Sequence, residues 1–139
     1  MKNWHNYFME IAEKISTMAT CDRKHVGAVI VKNKRILATG FNGSIAGGVD
    51  CDEVGHLLED NHCVRTVHAE VNAITQCAKF GIACDGASMY INTYPCWGCF
   101  KTLVNAGIKE VYYRDEYTAS DKDKITAQAH MLNIKLEKI

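Results

Sequence analysis

Two cysteines stand three residues apart in Pro95-Cys96-Trp97-Gly98-Cys99, the segment of this chain most able to do chemistry. On the first turn of a helix, residues at this spacing project from the same side, so both sulfurs can bind one metal ion. The positive end of the helix dipole also favours their thiolate forms. Upstream, His68-Ala69-Glu70 lies at the predicted start of another helix. The two helix starts could therefore meet above one sheet edge.

Two thiols and one imidazole, from Cys96, Cys99 and His68, suit Zn²⁺. A structural zinc site is closed by four protein ligands, whereas three leave a position for water. The metal lowers the pKa of that water to roughly 7, so hydroxide becomes available at neutral pH. Glu70 is near enough to accept a proton from the water and deliver it to a leaving amine. The alternative is a structural zinc knuckle with Glu70 in solvent.

A second group of metal-binding residue types lies in the long segment between residues 40 and 67. Cys51, His56, His62 and Cys63 fall within it, and Cys21 stands just before the first predicted strand. Thiols and imidazoles concentrated where apolar content is low indicate a closed Cys₂His₂ structural zinc that substitutes for a core. The alternative is a loop of free thiols and surface histidines.

The composition bounds the kind of protein that can carry these groups. A chain of 139 residues with 47% hydrophobic and 23% charged residues is a single globular domain over residues 1–139. Sixteen basic and sixteen acidic residues give zero formal charge, so the chain has no excess of positive charge with which to bind nucleic acid. Residues 1–15 mix charged and apolar side chains, so they predict neither a signal peptide nor a membrane span. We expect a cytoplasmic protein.

The helices and strands that must position the reactive residues are predicted from the spacing of apolar residues and from the residues that end such elements. Strand and helix alternate after residue 68, which predicts parallel strands, so the sheet is mixed and carries helices on both faces. The pattern predicts helices over 3–18, 69–80, 96–106 and 120–132, the last capped by Ser120, and strands over 26–31, 35–41, 87–93, 110–114 and 134–139. The strands 26–31 and 35–41 form an antiparallel hairpin at one edge.

The H-x-E and P-C-x-x-C motifs resemble those of the cytidine deaminase superfamily, and the chain is most similar to its deoxycytidylate (dCMP) deaminases. The similarity covers nearly the whole length and is carried by residues 26–30, 40–44, 63–70, 95–99 and 109–114. Ile45 departs from it, because many relatives have a proline there. The resemblance implies an α/β fold, a three-layer α/β/α sandwich with a mixed five-stranded sheet.

The resemblance also implies an activity, the hydrolytic deamination of dCMP to dUMP and ammonia in pyrimidine deoxynucleotide synthesis. Zinc would be held by His68, Cys96 and Cys99, and zinc-bound hydroxide would attack C4 of the cytosine ring. Glu70 would protonate N3 and later the amino group. Asn42 resembles the family's asparagine that contacts sugar or base.

A nucleoside monophosphate needs a cation for its phosphate, and the neutral net charge points to individual arginines. We expect Arg65 or Arg114 to bind this phosphate. Arg65 lies three residues before His68, and Arg114 lies at a strand end, where ligands bind in open α/β sheets. Each could equally form a surface ion pair, Arg114 with Asp115 or Glu116.

Some dCMP deaminases carry a second zinc ion. The resemblance to them implies that the ligands in the second cluster are Cys21, Cys51, His56 and His62. Cys63 is then a spare or an alternate ligand.

The glycine-rich run from residue 40 to 48 resembles a loop that binds an effector triphosphate, with dCTP activating and dTTP inhibiting. Backbone amides of such loops cradle phosphates, with Mg²⁺ as a possible companion. The matching positions are Gly43, Ser44, Gly47 and Asp50. Regulated relatives are usually hexamers, and a homo-oligomer is compatible with the clustered aromatics Tyr112, Tyr113 and Tyr117.

Two alternatives remain beside dCMP deamination. Within the superfamily, the chain could deaminate free cytidine or an adenosine of tRNA, although a tRNA enzyme needs a basic stripe that this chain lacks. Outside enzymes, it could be a zinc-stabilised nucleotide-binding module, which would have little use for a glutamate beside an incomplete ligand set.

Overall fold

The computed structural model describes residues 1–116 and 121–139 and is centred on a five-stranded sheet. In chain order the elements are α1 (Trp4–Ser16), β1 (Gly27–Lys32), β2 (Arg35–Phe41), β3 (Gly43–Ser44), α2 (Cys51–Val54), β4 (Leu58–Glu59), β5 (His62–Cys63), β6 (Thr66–Val67), α3 (Ala69–Phe80), β7 (Ser88–Thr93), α4 (Trp97–Asn105), β8 (Glu110–Asp115), α5 (Lys122–Met131) and β9 (Lys135–Lys138).

The sheet is mixed, as the alternation of strands and helices predicts. Its strand order is β2-β1-β7-β8-β9, with β1 antiparallel to both neighbours and β7, β8 and β9 parallel. The hairpin of β1 and β2 lies at one edge, also as predicted. It turns through Asn33 and Lys34, which both have positive φ and so match the twist of the two strands.

Alternation along the strands divides the core between the two faces of the sheet. In β1, Val29 and Val31 face the cluster that α1 completes, whereas Ala28 and Ile30 face the cluster that includes α3, α4 and α5. The sheet therefore has helices on both faces, which confirms the three-layer α/β/α arrangement. None of the helices among the described residues combines the length and apolar content that crossing a bilayer requires.

Most of the predicted elements differ from the observed ones by one or two residues at an end. Helix α4 begins at Trp97, one residue later than the sequence indicates, and α5 begins at Lys122. Ser120, the predicted cap of α5, and Tyr117 lie outside the described residues. The long segment after residue 40 is more ordered than expected, since β3 pairs with β6 and β4 with β5.

Gly27 allows α1 to pack directly on the backbone of β1. A Cβ atom at this position would lie 2.1 Å from the Ala12 carbonyl oxygen and 2.6 Å from the Ser16 nitrogen. Both obstructing atoms belong to the helix backbone and cannot yield as a side chain would. The spacing between α1 and the sheet is therefore fixed by the absence of a side chain.

We expect Gly27→Ala to lower the free energy of unfolding by about 1–3 kcal/mol, because α1 must shift away from β1. Urea denaturation of the metal-loaded protein measures this change. Gly98→Ala is the control: Gly98 lies in α4 without a positive φ, and a Cβ there meets nothing within 4 Å among the described residues. It should leave stability unchanged or raise it by up to about 1 kcal/mol. Equal stability of the two variants would contradict the prediction.

Candidate active site

Two helix starts bring together the three metal-binding side chains that the sequence singles out. His68 is the N-cap residue of α3, Cys96 is the N-cap residue of α4, and Cys99 lies in the first turn of α4. The His68 Nδ1 atom is 3.2 Å from the Cys99 Sγ and 3.5 Å from the Cys96 Sγ. Their ligand atoms all lie within 4.8 Å of one another. A single ion can therefore contact all three, and the donor set suits Zn²⁺.

The thiols of this group are unequal in acidity. The hydrogen bond with the Cys99 thiol lowers the pKa of Cys96 to about 4, and the same bond raises the pKa of Cys99. The Cys96 sulfur also accepts the Cys99 backbone N–H at 3.4 Å. The Cys96 side chain in turn raises the pKa of His68. Cys96 is thus the more acidic of the two thiols, and a bound dication would favour the thiolate form of both.

Glu70 is buried at the pocket floor in the first turn of α3. Its side chain is 4% exposed, and burial raises the pKa of the carboxyl above its ordinary value. A carboxyl with a raised pKa holds a proton more readily than an exposed one, as a group that must both accept and donate protons requires. The position and the environment of Glu70 therefore suit the proton-carrying role that the sequence assigns to it.

The pocket above these residues has a volume of about 510 Å³, within the range of small-molecule sites. Segments before β1, around β5 and β6, and at the starts of α3 and α4 contribute its walls. The lining residues are Cys21, Arg23, Lys24, Val26, Asn42, His62, Cys63, Val64, Thr66, His68, Ala69, Glu70, Thr93, Tyr94 and Cys96.

Asn42 lines the pocket but also has a structural task. Its Oδ1 accepts the Val26 backbone N–H at 2.8 Å, and its Nδ2 donates to the Lys24 carbonyl at 2.6 Å. The side chain is buried and therefore fixes the backbone that carries Lys24. One amide hydrogen and one lone pair remain for a ligand.

Neither arginine that the sequence proposes for phosphate lies among the described residues lining the pocket. The Arg65 Nε donates to the Gly55 carbonyl at 3.1 Å, and the Arg114 guanidinium pairs with Glu13 of α1 at 2.5 Å. Arg114 shares the α1 side of β8 with Tyr112, because alternate residues of a strand point the same way. A strand-end position alone does not specify which face a side chain occupies.

The cations that do line the pocket are Arg23 and Lys24, which the sequence reasoning missed. Lys24 is near enough to His68 for its charge to oppose protonation of the imidazole. The Arg23 Nη2 donates to the Asn61 carbonyl at 3.0 Å. The signal was their position, a basic pair that lies two and three residues after Cys21 and the same distances before the predicted first strand.

The second cluster forms with one change from the expected ligand set. Cys21, Cys51, His56 and Cys63 have ligand atoms within 4.8 Å of one another, so Cys63 takes the place expected for His62. The two are neighbours in β5, and consecutive residues of a strand point in opposite directions. His62 is exposed and borders the pocket instead.

The contacts within this cluster suit a closed zinc site. The Cys51 and Cys63 sulfurs are 3.5 Å apart, and the Cys21 Sγ is 3.4 Å from the His56 Nδ1. The His56 Nε2 lies 3.0 Å from an Asp22 carboxylate oxygen, which orients the ring as outer partners of metal-binding histidines do.

The residues proposed for an effector are spread along the segment after β2. Gly43 and Ser44 form β3 and pair with β6, Gly47 has a φ of 82°, and Asp50 precedes α2. The Ser44 hydroxyl is buried and finds no hydrogen-bond partner within the described part of the chain.

Comparison with known proteins gives a consistent set of relatives. Residues 2–115 match the family described as "Cytidine and deoxycytidylate deaminase zinc-binding region". ComE operon protein 2 of Bacillus subtilis (strain 168) is 52% identical over 115 residues, which cover 83% of this chain and 61% of that protein. Deoxycytidylate deaminase of Mycobacterium phage D29 is 33% identical over 126 residues, covering 82% of this chain and 96% of that protein.

Among solved structures, dCMP deaminase from the cyanophage S-TIM5 in complex with dCMP and dUMP superposes with a TM-score of 0.85. It is 36% identical, and the alignment covers 100% of this chain and 99% of that one.

Proposed function

Because this chain belongs to the cytidine and deoxycytidylate deaminase family, we propose that it hydrolyses dCMP to dUMP and ammonia. The observation that carries the proposal is the meeting of His68, Cys96 and Cys99, two of which line the same pocket as the buried Glu70. The names of the phage D29 and cyanophage relatives support dCMP as the substrate.

His68, Cys96 and Cys99 would hold Zn²⁺, which when bound supplies a Lewis acid that lowers the pKa of a coordinated water to roughly 7. Glu70 is the proton carrier of the reaction. Its carboxylate accepts a proton from the water whose oxygen bonds to C4, and passes it to N3 of the cytosine ring. Glu70 then moves the remaining hydroxyl proton to the amine, the C4–N bond breaks, and ammonia leaves as the C4 carbonyl of dUMP forms. The raised pKa of Glu70 suits both transfers.

Arg23 and Lys24 are the cations that we assign to the substrate phosphate. Both line the pocket, and Arg23 keeps further N–H donors beyond the one directed at Asn61. The two hydrogen bonds of Asn42 hold the backbone that carries Lys24. Charge on the substrate is thus met by two local cations in a chain whose net charge is zero.

Cys21, Cys51, His56 and Cys63 would hold a second, structural zinc. Three thiols and one imidazole complete a tetrahedral set and leave no position for water, so this ion has no catalytic task. The hexamer, the effectors dCTP and dTTP with Mg²⁺, and the cytoplasmic location stay predictions of the sequence.

Replacing Glu70 by glutamine tests the proton route. We expect Glu70→Gln to lower kcat for ammonia release from dCMP by at least about 10²–10⁴-fold, because the amide cannot accept the water proton. Zinc content should equal that of the wild type. Glu10→Gln is the control, since an amide oxygen can still accept the hydrogen bond from Asn6.

Cytidine and a tRNA anticodon stem-loop, assayed beside dCMP, distinguish the alternative deaminases. Absence of ammonia release from all three substrates would favour the nucleotide-binding module.

Removing the pocket cations tests recognition of the phosphate. Arg23→Gln and Lys24→Gln should each raise KM for dCMP by about tenfold or more, since a hydrogen bond to a charged group contributes about 1.5–3 kcal/mol. Activity toward deoxycytidine, which has no phosphate, should change much less. Arg65→Gln is the matched control with an expected KM near that of the wild type. A larger rise in KM for Arg65→Gln would restore the assignment made from the sequence.

Metal content tests the ligands of the second site. The wild type should bind about two zinc ions per chain and Cys63→Ser about one, because a hydroxyl is a poor substitute for a thiolate. His62→Ala should keep both ions. Zinc content after dialysis and the thermal stability of each variant are the measurements. Loss of an ion from His62→Ala alone would reinstate the Cys₂His₂ set.

A further inference from the structure

Asn72, on α3, joins two peptides that border the pocket. Its Nδ2 donates to the Phe41 carbonyl at 2.8 Å and to the Val67 carbonyl at 3.3 Å. Phe41 directly precedes Asn42, and Val67 directly precedes His68. The Asn72 amide thus links the end of β2, which leads into Asn42, to the peptide that leads into the metal-binding His68.

The start of α3, which carries Glu70, has little freedom to adjust around this connection. A Cβ atom on Gly40 would lie 2.2 Å from the Ala69 carbonyl oxygen and 2.6 Å from the Ala73 nitrogen. The first turns of the helix therefore rest on the backbone of β2 with no side chain between them. Close contact fixes the separation of helix and strand, and the hydrogen bonds of Asn72 fix how one is placed along the other.

We propose that Asn72 is a positioning residue for deamination, which holds Glu70 and His68 in register with the strand end at Asn42. Asn72 is not among the described residues that line the pocket, so it acts through its neighbours. Both of its contacts run from an N–H donor to a carbonyl oxygen. An acceptor in the same place would be repelled by both carbonyls. This inference rests on the proposed function.

The expected loss falls on kcat rather than on KM. The backbone of Lys24, which we assign to the phosphate, is held separately by Asn42 through two hydrogen bonds. Loss of the Asn72 contacts therefore leaves the substrate-binding cations in place. The same loss lets Glu70 and His68 shift relative to the cytosine ring of the substrate. A misplacement of about 1 Å lowers the rate on the order of 10²-fold.

A matched pair of amide-to-acid substitutions tests the role. Asn72→Asp removes the N–H donor, whereas Gln76→Glu, one turn later on α3, keeps an oxygen that accepts the Thr39 backbone N–H at 2.9 Å. Both variants add one negative charge to the same helix. Asn72→Ala removes the contacts without adding charge and serves if the acid variant does not fold. The measurements are kcat and KM for dCMP, and zinc content.

We expect Asn72→Asp and Asn72→Ala to lower kcat by about 10–100-fold, with KM within about threefold and zinc retained. Gln76→Glu should keep kcat within about threefold of the wild type. The role of Asn72 is refuted if both of its variants keep a wild-type kcat, if the loss lies in KM, if zinc is lost in parallel, or if Gln76→Glu loses as much. A wild-type chain inactive on dCMP refutes the proposed function itself, and this role with it.

Discussion

Every reactive group of the pocket depends on the packing of two helix N-termini, those of α3 and α4, over the same face of the sheet. His68 and Cys96 are the N-cap residues of the two helices, so their placement follows from where each helix begins. The positive ends of both helix dipoles point toward the donor atoms and stabilise thiolate charge there. Ligand geometry and the position of Glu70 are therefore consequences of one packing arrangement, whereas the acidity of Cys96 depends mainly on its hydrogen bond with Cys99.

Glu70 and Glu110 are both partly or fully withdrawn from solvent, and their environments shift the pKa values of their carboxyls in opposite directions. Glu110 accepts hydrogen bonds from the Ser88 and Tyr112 hydroxyls, and the bond from Ser88 is the main reason that its pKa is lowered. Glu70 is more deeply buried, and its pKa is raised because desolvation outweighs the contacts that favour the charged form. The environment of Glu110 therefore favours the charged form of its carboxyl, whereas that of Glu70 favours the protonated form.

Much of this architecture could be predicted from the sequence because it is encoded locally. Period-two and period-3.6 patterns gave the mixed sheet and the helices on both faces. The hairpin of β1 and β2 at the sheet edge also follows from the local pattern of the two strands. The H-x-E and P-C-x-x-C motifs identified the family, which the comparisons confirm.

The features that could not be predicted depend on which side of a strand a side chain points to and on which distant segments contact each other. Arg114 lies one residue before the end of β8, close to the expected position, but the alternation of the strand directs it toward Glu13 on the α1 side. His62 and Cys63 are adjacent in a strand of two residues, too short for any pattern to say which points inward. Arg23 and Lys24 reach the pocket because Asn42 holds the segment before β1, a tertiary contact that no local pattern encodes.

One wall of the pocket is built with almost no apolar core. In the described segment 45–64, Cys51 is the one buried residue, while Val54, Leu57 and Leu58 are exposed. Ordering a backbone costs about 1–2 kcal/mol per residue, and this segment buries too little apolar surface to offset that cost. The links that remain are polar: the cluster around Cys63, the His56–Asp22 pair and the bond from Arg23 to Asn61. Because these links join the wall to the stretch that carries Lys24, an ion at the second site would order the surface to which we assign the substrate phosphate.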